Sequence, residues 1–247
     1  MPPQKNNIVQ QKTAICLPTF NEAYNLPVIV GAIQRILPDV FIVVIDDNSP
    51  DYTGLIADRL ADKNTHIKVL HRRSKSGLGR AYYDGFHFAM DQLHADLIVQ
   101  MDADFSHDPR TLPLLISASV HADLVIGSRY VTGGEIENWS LARQLISRFG
   151  SLYARKILNL PIYDPTGGFK IWHKELLQEV LKQPIASGGY VFQVETTFYA
   201  YIMGASITEV PIRFVERKSG KSKMTASIAF EAFHRILMLR LRTRNKI

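Results

Sequence analysis

Val40-Phe41-Ile42-Val43-Val44-Ile45, followed at once by Asp46-Asp47-Asn48-Ser49-Pro50, sets the architecture of this chain. Six apolar, mostly β-branched residues without polar alternation describe a strand covered on both faces. A strand with one wet face would alternate instead. The turn formers that follow end the strand abruptly and leave two carboxylates at its carboxyl end. On either side the same grammar recurs. Short apolar runs at 13–17, 67–71, 97–101 and 124–127 are separated by amphipathic stretches at 26–37, 54–62, 79–93 and 109–121. Strand and helix in alternation specify an α/β fold with a doubly wound, mainly parallel sheet and helices on both faces. Asn25 before Leu26-Pro27, and Asp108 before Pro109, read as N-caps with proline in the first helical turn.

Past residue 130 the pattern loosens. A Gly- and polar-rich loop at 131–139 leads into a helix at 140–158. Residues 168–173 and 206–215 read as strands, 195–203 as a helix, and 216–224 as a loop rich in Lys, Ser and Gly. A terminal amphipathic helix over 225–241 puts Ala226, Phe230, Phe233, Leu237 and Leu241 on one stripe.

At 247 residues and 27.9 kDa the chain can bury one substantial core, and no repeat or low-complexity linker divides it, so 1–247 reads as a single domain. The single cysteine, Cys16, excludes a disulfide scaffold and a thiolate zinc cluster. The longest uncharged stretch, 196–208, has 13 residues, short of the roughly 18 of a membrane span. Residues 1–12 are polar and lack the apolar centre of a signal peptide, so they read as a flexible tail. A soluble or peripheral protein is expected. The net charge of +6 is concentrated at one end: from residue 208 onward ten Lys/Arg stand against three Asp/Glu. Such a tail is either a solvated basic face or a patch for phosphates on nucleotides, nucleic acid or anionic lipid; composition does not choose.

In a doubly wound sheet the ligand sits beyond the carboxyl ends of the strands. The run at 97–101 ends in Asp102-Ala103-Asp104, and residues i and i+2 of an extended segment point the same way. Two hard oxygen donors without His or Cys beside them suit Mg²⁺ or Mn²⁺, with a diphosphate completing the shell. Asp46-Asp47 could accept hydrogen bonds from a ribose or a base, or could belong to a turn. Leu17-Pro18-Thr19-Phe20-Asn21-Glu22 ends the first strand with a ring and a carboxylate suited to a nucleobase. Three acidic strand ends on one sheet edge would repel one another unless a cation or basic loops offset them. Gly77-Leu78-Gly79 lacks the third glycine of a dinucleotide fingerprint and reads as a tight turn; Gly220-Lys221-Ser222 lacks the first glycine of a P-loop.

These motifs, with Gly127-Ser128-Arg129-Tyr130, resemble family-2 glycosyltransferases of GT-A fold. Asp164-Pro165-Thr166-Gly167-Gly168-Phe169, Gly189-Tyr190-Val191-Phe192-Gln193 and Phe214-Val215-Glu216-Arg217…Ser222-Lys223 narrow the resemblance to the dolichol-phosphate (polyprenyl-phosphate) mannose synthases. The resemblance runs from about residue 13 to 224. It implies GDP-mannose as donor and a polyprenyl (dolichyl) monophosphate as acceptor, with a nucleotide-binding half at 13–130 and an acceptor-side half at 131–224. It assigns Pro18, Phe20, Glu22, Ile45 and Asp47 to the guanosine. Phe20 stands where the family often has Tyr, which keeps ring packing and loses a hydroxyl contact. Asp102 and Asp104 would hold Mg²⁺ or Mn²⁺ and, with Ala103, the diphosphate. Ser106 stands where some members have a Gln metal ligand. Arg129, Arg217 and Lys223 would contact phosphates, with Arg129 also catalytic, and Arg129, Arg143 and Ser147 would hold the acceptor phosphate.

The chemistry agrees with that inventory. A phosphate monoester is mostly ionised at neutral pH and needs no base to attack the anomeric carbon. It needs orientation against a like-charged donor, a task for arginines and a metal. The resemblance implies direct displacement with inversion, in the family manner, giving a β-linked mannosyl phosphate. Because many relatives add spanning helices that are not seen here, the lipid must be reached from a membrane surface, on its cytosolic side, or through a small membrane-embedded subunit. The basic helix at 225–247, with Arg235, Arg240, Arg242, Arg244 and Lys246 beside its apolar residues, suits an anionic bilayer, or else caps the core. Three other readings stand beside this one: glucose transfer from UDP-glucose to a lipid phosphate, a metal-dependent nucleotidyltransferase, and a non-catalytic nucleic-acid binder. The last leaves the acidic strand ends unexplained, and no nucleic acid is expected as a partner.

Overall fold

The structure is a computed structural model, and its described residues are 11–185, 189, 191–216 and 226–243. Most of the 1–12 tail, most of the 216–224 loop, Tyr190, Arg217, Lys223, Arg244 and Lys246 lie outside them, as do the side chains of Ala226 and Phe230. The first half runs β1 (Thr13–Thr19), α1 (Asn25–Ile36), β2 (Phe41–Asp46), α2 (Thr53–Lys63), β3 (Ile67–His71), α3 (Leu78–His87), β4 (Leu97–Gln100), α4 (Leu112–Ala118) and β5 (Leu124–Ser128). Then follow β6 (Glu135–Glu137), α5 (Leu141–Leu158), β7 (Lys170–His173), α6 (Lys174–Leu181), α7 (Val191–Ile202), β8 (Ile207–Pro211), β9 (Arg213–Val215) and α8 (Ala226–Arg242).

The main sheet has the order β3-β2-β1-β4-β7-β5-β8. Its pairings are parallel except those of β7, which runs antiparallel between β4 and β5. Alternate residues of β2 feed two cores, as a strand buried on both faces requires. Val43 and Ile45 pack with Tyr82, Phe86, Trp172 and Phe198, while Ile42 and Val44 pack with Leu26, Ile29, Leu112 and Leu115. Gly85 lets α3 lie directly on β2: a Cβ there would overlap Ile45 Cδ1. The strand order reverses between β1 and β4, which opens a crevice at their carboxyl ends.

Several expectations are corrected. Asn25 does not cap α1. It lies inside the helix, whose N-cap is Tyr24, and its Nδ2 donates to Glu22 Oε2 at 2.7 Å. Asp108 does cap, accepting from Arg110 N at 2.9 Å, but the turn it opens is 3₁₀ (Pro109–Thr111) before α4 begins. The stretch at 79–93 is α3 continued by a π-helical turn, Phe88–Gln92. The strand expected at 206–215 breaks at Ile212 into β8, on the main sheet, and β9, which pairs in parallel with β6. β6 itself lies in what reads as loop, and α6 in a stretch left unassigned.

The terminal helix turns part of its expected apolar stripe outward. Leu237 and Leu241 are 44% and 55% exposed, while Ile236 and Leu239 are 5% and 3% exposed. The buried stripe therefore runs Ala232, Ile236, Leu239, Thr243 against α5 and α7. Tyr153 of α5 packs its ring tilted against Phe233 at 4.1 Å and donates its hydroxyl to the Phe233 carbonyl.

Candidate active site

The crevice collects the acidic strand ends, and the structure divides them into two jobs. Asp46 is structural: Oδ1 accepts from Thr19 Oγ1 (3.1 Å) and Ser49 Oγ (2.6 Å), and Oδ2 from Ser49 N. It ties the end of β1 to the loop after β2. Asp47, buried beside it, forms an ion pair with Arg72. Arg72 also donates to Asp84 Oδ2 (2.8 Å) and Ser76 Oγ (2.5 Å). It follows β3 directly, so it is the basic strand end that the acidic rim requires. Sequence reasoning missed it, although a self-repelling acidic rim asks for such a residue. Asn21, Asn48, Tyr52 and Phe105 all adopt positive φ just past these strands. Such backbone is strained for Tyr and Phe and clusters where a loop must aim its groups.

The residues assigned to a nucleoside do gather here, in unequal states. Phe20 carries Lys75 Nζ over its ring at 3.6 Å. Glu22 receives Asn25, and its backbone N–H donates to Thr53 Oγ1 at 2.9 Å. Pro18 is half-buried at the end of β1. Ile45 is fully buried in the core against α3, so only its backbone faces the crevice side; its carbonyl accepts from Thr19 Oγ1.

Asp102 and Asp104 follow β4 on opposite sides of the buried Ala103. Neutral hydroxyls hold both. Tyr82 donates to Asp102 Oδ1 at 2.8 Å, and Ser106 donates to Asp104 Oδ1 through Oγ (2.5 Å) and N (3.0 Å). Burial, together with the Asp102 charge, pushes the Tyr82 phenol far above its usual range, so it stays a donor. The Asp102 N–H donates to His107 Nδ1 (3.1 Å), which places any single imidazole proton on Nε2. Burial lowers the His107 pKa against the pull of Asp102 and Asp104, and the ring stacks on Phe169 at 4.9 Å. Ser106 is thus placed as a donor to Asp104. A Cβ on Gly168 would stand 3.7 Å from both Asp102 Oδ2 and Gln193 Nε2. The loop before β7 therefore runs close to both the Asp102 carboxylate and the start of α7. Among the described residues no group of three or more His, Cys, Asp or Glu gathers as a metal cage.

At the end of β5, Arg129 is held by its edge. Nε and Nη2 donate to the two Asp164 oxygens at 2.7 Å each, and Nη2 also reaches Thr166 Oγ1 at 2.8 Å. Burial pushes Asp164 up, but Arg129 and the hydrogen bonds outweigh it and hold the carboxyl below its usual range. The guanidinium lies 5.1–5.8 Å from the rings of Tyr130, Phe214 and Trp139. Arg143 stacks over Trp139 at 4.1 Å and pairs with Glu216. Ser147 receives the Tyr130 hydroxyl at 2.7 Å. Arg129, Arg143 and Ser147 are therefore joined through one aromatic cluster, with Trp139 and Asp164 as members that sequence reasoning did not assign. Arg217 and Lys223 lie outside the described residues.

Comparison with known proteins agrees with this geometry. The polyprenol monophosphomannose synthase of Mycolicibacterium smegmatis is 42% identical over 92% of this chain and 86% of its own. The undecaprenyl-phosphate mannosyltransferase of Micrococcus luteus is 45% identical over 87% of this chain and 88% of its own. Among solved structures, glucosyl-3-phosphoglycerate synthase from Mycobacterium tuberculosis with phosphoglyceric acid superposes with a TM-score of 0.67, at 17% identity, over 95% of this chain and 80% of that one. The same enzyme with Mn²⁺, UDP-glucose and phosphoglyceric acid gives 0.68 at 18% identity, over 94% and 80%. At that identity the likeness is one of fold, and it is the GT-A-like α/β fold expected. Residues 14–181, which span the three acidic strand ends and the Arg129–Asp164 pair, match Glycosyl transferase family 2, and the chain belongs to that family.

Proposed function

We propose that this glycosyltransferase moves mannose from GDP-mannose to a polyprenyl monophosphate, with inversion. The observation that carries the reading is the Asp102/Asp104 pair at the strand-order reversal, in a chain 42–45% identical to two polyprenyl-phosphate mannosyltransferases. The donor set is hard oxygen only, which fits Mg²⁺ or Mn²⁺. When bound, that ion would neutralise charge on the nucleoside diphosphate leaving group. Tyr82 and Ser106 fix the carboxylates that would receive it. Phe20, Glu22 and Asp47 meet the nucleoside, and Arg72 holds Asp47 in place. Arg129, Arg143 and Ser147 would orient the acceptor phosphate, which needs no general base. Arg217 and Lys223 remain assigned to the donor phosphates from the resemblance.

The acceptor is a lipid, and no described helix is long and apolar enough to cross a membrane. α5 supplies a surface in its place. Its first turns expose Leu141, Leu145, Ile146, Phe149 and Leu152, flanked by the exposed Arg148 and Lys156. Leu237 and Leu241 of α8 are exposed too. An exposed apolar face edged with cations fits a bilayer carrying anionic lipid. The enzyme would then work from the cytosolic face, where both substrates meet. The test is transfer of radiolabelled mannose from GDP-mannose into a lipid-extractable product on polyprenyl phosphate, with UDP-glucose as the rival donor. Equal or better transfer from UDP-glucose would overturn the mannose assignment.

A further inference from the structure

A cavity of about 560 Å³ lies beside the acceptor cluster, between α5, the 131–134 turn and Tyr163. Asp102, Asp104, Arg143 and Ser147 do not line it. Its charged lining is entirely cationic: Arg129, Arg148 and Arg155. Arg148, Ser151, Leu152 and Arg155 recur at helical spacing, so one face of α5 forms a wall. The carboxylates near it are committed elsewhere. Asp164 holds Arg129, and Glu209 accepts the backbone N–H groups of Tyr163 and Asp164 at 2.7 and 2.8 Å. Among the described residues no carboxylate pairs with Arg148 or Arg155.

Arg155 is the telling group. Its guanidinium lies over the Tyr163 ring at 4.2 Å, while its Nε is buried with no hydrogen-bond partner. Stacking on the ring fixes the guanidinium plane, and the terminal Nη groups, beyond the buried Nε, are the edge that can meet an in-plane acceptor in the cavity. The opposite wall is the 130–134 turn, where Gly133 has φ +90° and a Cβ on Gly134 would stand 2.7 Å from the Arg129 carbonyl carbon, so the turn closes tightly at its two glycines. Leu152 lines the cavity and also belongs to the exposed apolar face of α5. An anion in the cavity could thus be attached to a hydrocarbon chain lying on that face.

We propose that this cavity holds a second phosphate site, adjoining the transfer site at Arg129, whose guanidinium is committed to Asp164. It takes a phosphate-bearing anion through Arg148 and Arg155, either the headgroup of a membrane phospholipid or free phosphate. Phosphate is favoured over a carboxylate because several oxygens can meet two guanidinium edges at once. An anchor of this kind would seat α5 on the bilayer in one orientation, next to the acceptor's own arginines.

The experiment compares the full chain with Arg148→Gln/Arg155→Gln and with Lys156→Gln/Arg242→Gln, which removes the same charge from exposed positions of α5 and α8 outside the cavity. Arg148→Gln alone, at an exposed position, serves if the pocket pair folds poorly. Binding is read on vesicles of neutral lipid with and without phosphatidylglycerol, and with inorganic phosphate by ³¹P line broadening. Loss of diffuse charge predicts about a fivefold drop per residue, equal for both pairs. The site predicts a drop about tenfold larger, or more, for the pocket pair, because two guanidinium contacts are lost together with the charge. Selective loss on vesicles alone assigns the headgroup, and selective loss of phosphate broadening assigns the free anion. Equal behaviour of the two pairs in both assays overturns the proposal. These readouts do not involve turnover, so they fail or succeed independently of the mannose assignment.

Discussion

Removing Asp164 should cost this fold more than any other single carboxylate in the site. Asp164 is 0% exposed and the Arg129 side chain 9%, so neither charge has water to fall back on. In Asp164→Ala, Arg129 loses two 2.7 Å charge-assisted bonds, its backbone N–H loses a 3.1 Å acceptor, and Thr166 loses a 3.0 Å one. A buried ion pair broken from one side costs about 3–5 kcal/mol, because the partner charge stays buried. For a chain of this size that corresponds to roughly 6–20 °C in Tm. Arg129→Leu/Asp164→Leu removes both charges and should recover most of the loss, since the cost lies in the orphaned charge rather than in the absent pair. Arg129→Lys should not rescue transfer, because a point charge cannot reproduce the two-pronged contact. Urea unfolding followed by tryptophan fluorescence suits the test, since Trp139 sits 5.8 Å from the Arg129 guanidinium. A loss below about 1 kcal/mol in Asp164→Ala, or a double mutant costing the sum of the singles, would refute the reasoning.

Asp102→Asn and Asp104→Asn should each lower transfer by at least about 10²-fold while Tm holds, and EDTA should do the same to the unsubstituted chain; full activity in EDTA would contradict the proposed ion. Gly85→Ala should destabilise by about 1–3 kcal/mol, because its Cβ meets Ile45 Cδ1; an unchanged Tm would mean that α3 can lift off β2 freely. Leu145→Ser/Phe149→Ser should reduce partition onto anionic vesicles by about tenfold or more, read by co-sedimentation. Unaltered binding would move the contact elsewhere or to a membrane-embedded subunit. Lys170 is buried on β7, and burial pushes its pKa from 10.5 down to about 7. Between those values the unfolded chain holds a proton that the folded chain lacks, so stability should rise with pH across that window and level off below it. Lys170→Met should flatten that rise in urea titrations across the same window, from about 7 to 10.5.

The parallel half of the sheet was legible because its signal is local. β2 is one uninterrupted apolar run, and a strand buried on both faces has no other common source. β7 was harder: its antiparallel direction depends on two strands distant in sequence, and Lys170 interrupts the apolar pattern. That lysine is accommodated by Gln193 and Thr197, whose carbonyl and hydroxyl oxygens each accept from its Nζ at 2.8 Å. β6 and β9, three residues each, are too short to show a period. In the site, the acidic strand ends stood out as residue types at a known place in a doubly wound sheet. What supports them did not. Tyr82 reaches Asp102 from a helix 20 residues earlier, and Asp164 meets Arg129 from a loop 35 residues later. The motifs that hold Arg129 and Asp164 both carry the family resemblance, yet nothing in their linear order says that they touch.

The antiparallel position of β7 has a consequence for how the protein is made. β1 to β4 pair with one another, so four strands can close a sheet using only residues 13–100. β5 pairs with neither β4 nor any earlier strand; its neighbours are β7 and β8. During vectorial synthesis the strand that carries Arg129 at its end therefore emerges with no edge to dock on. It must wait until Lys170–His173 has left the ribosome and been laid along β4. The first four strands can be a finished object while the second half of the sheet is still open chain.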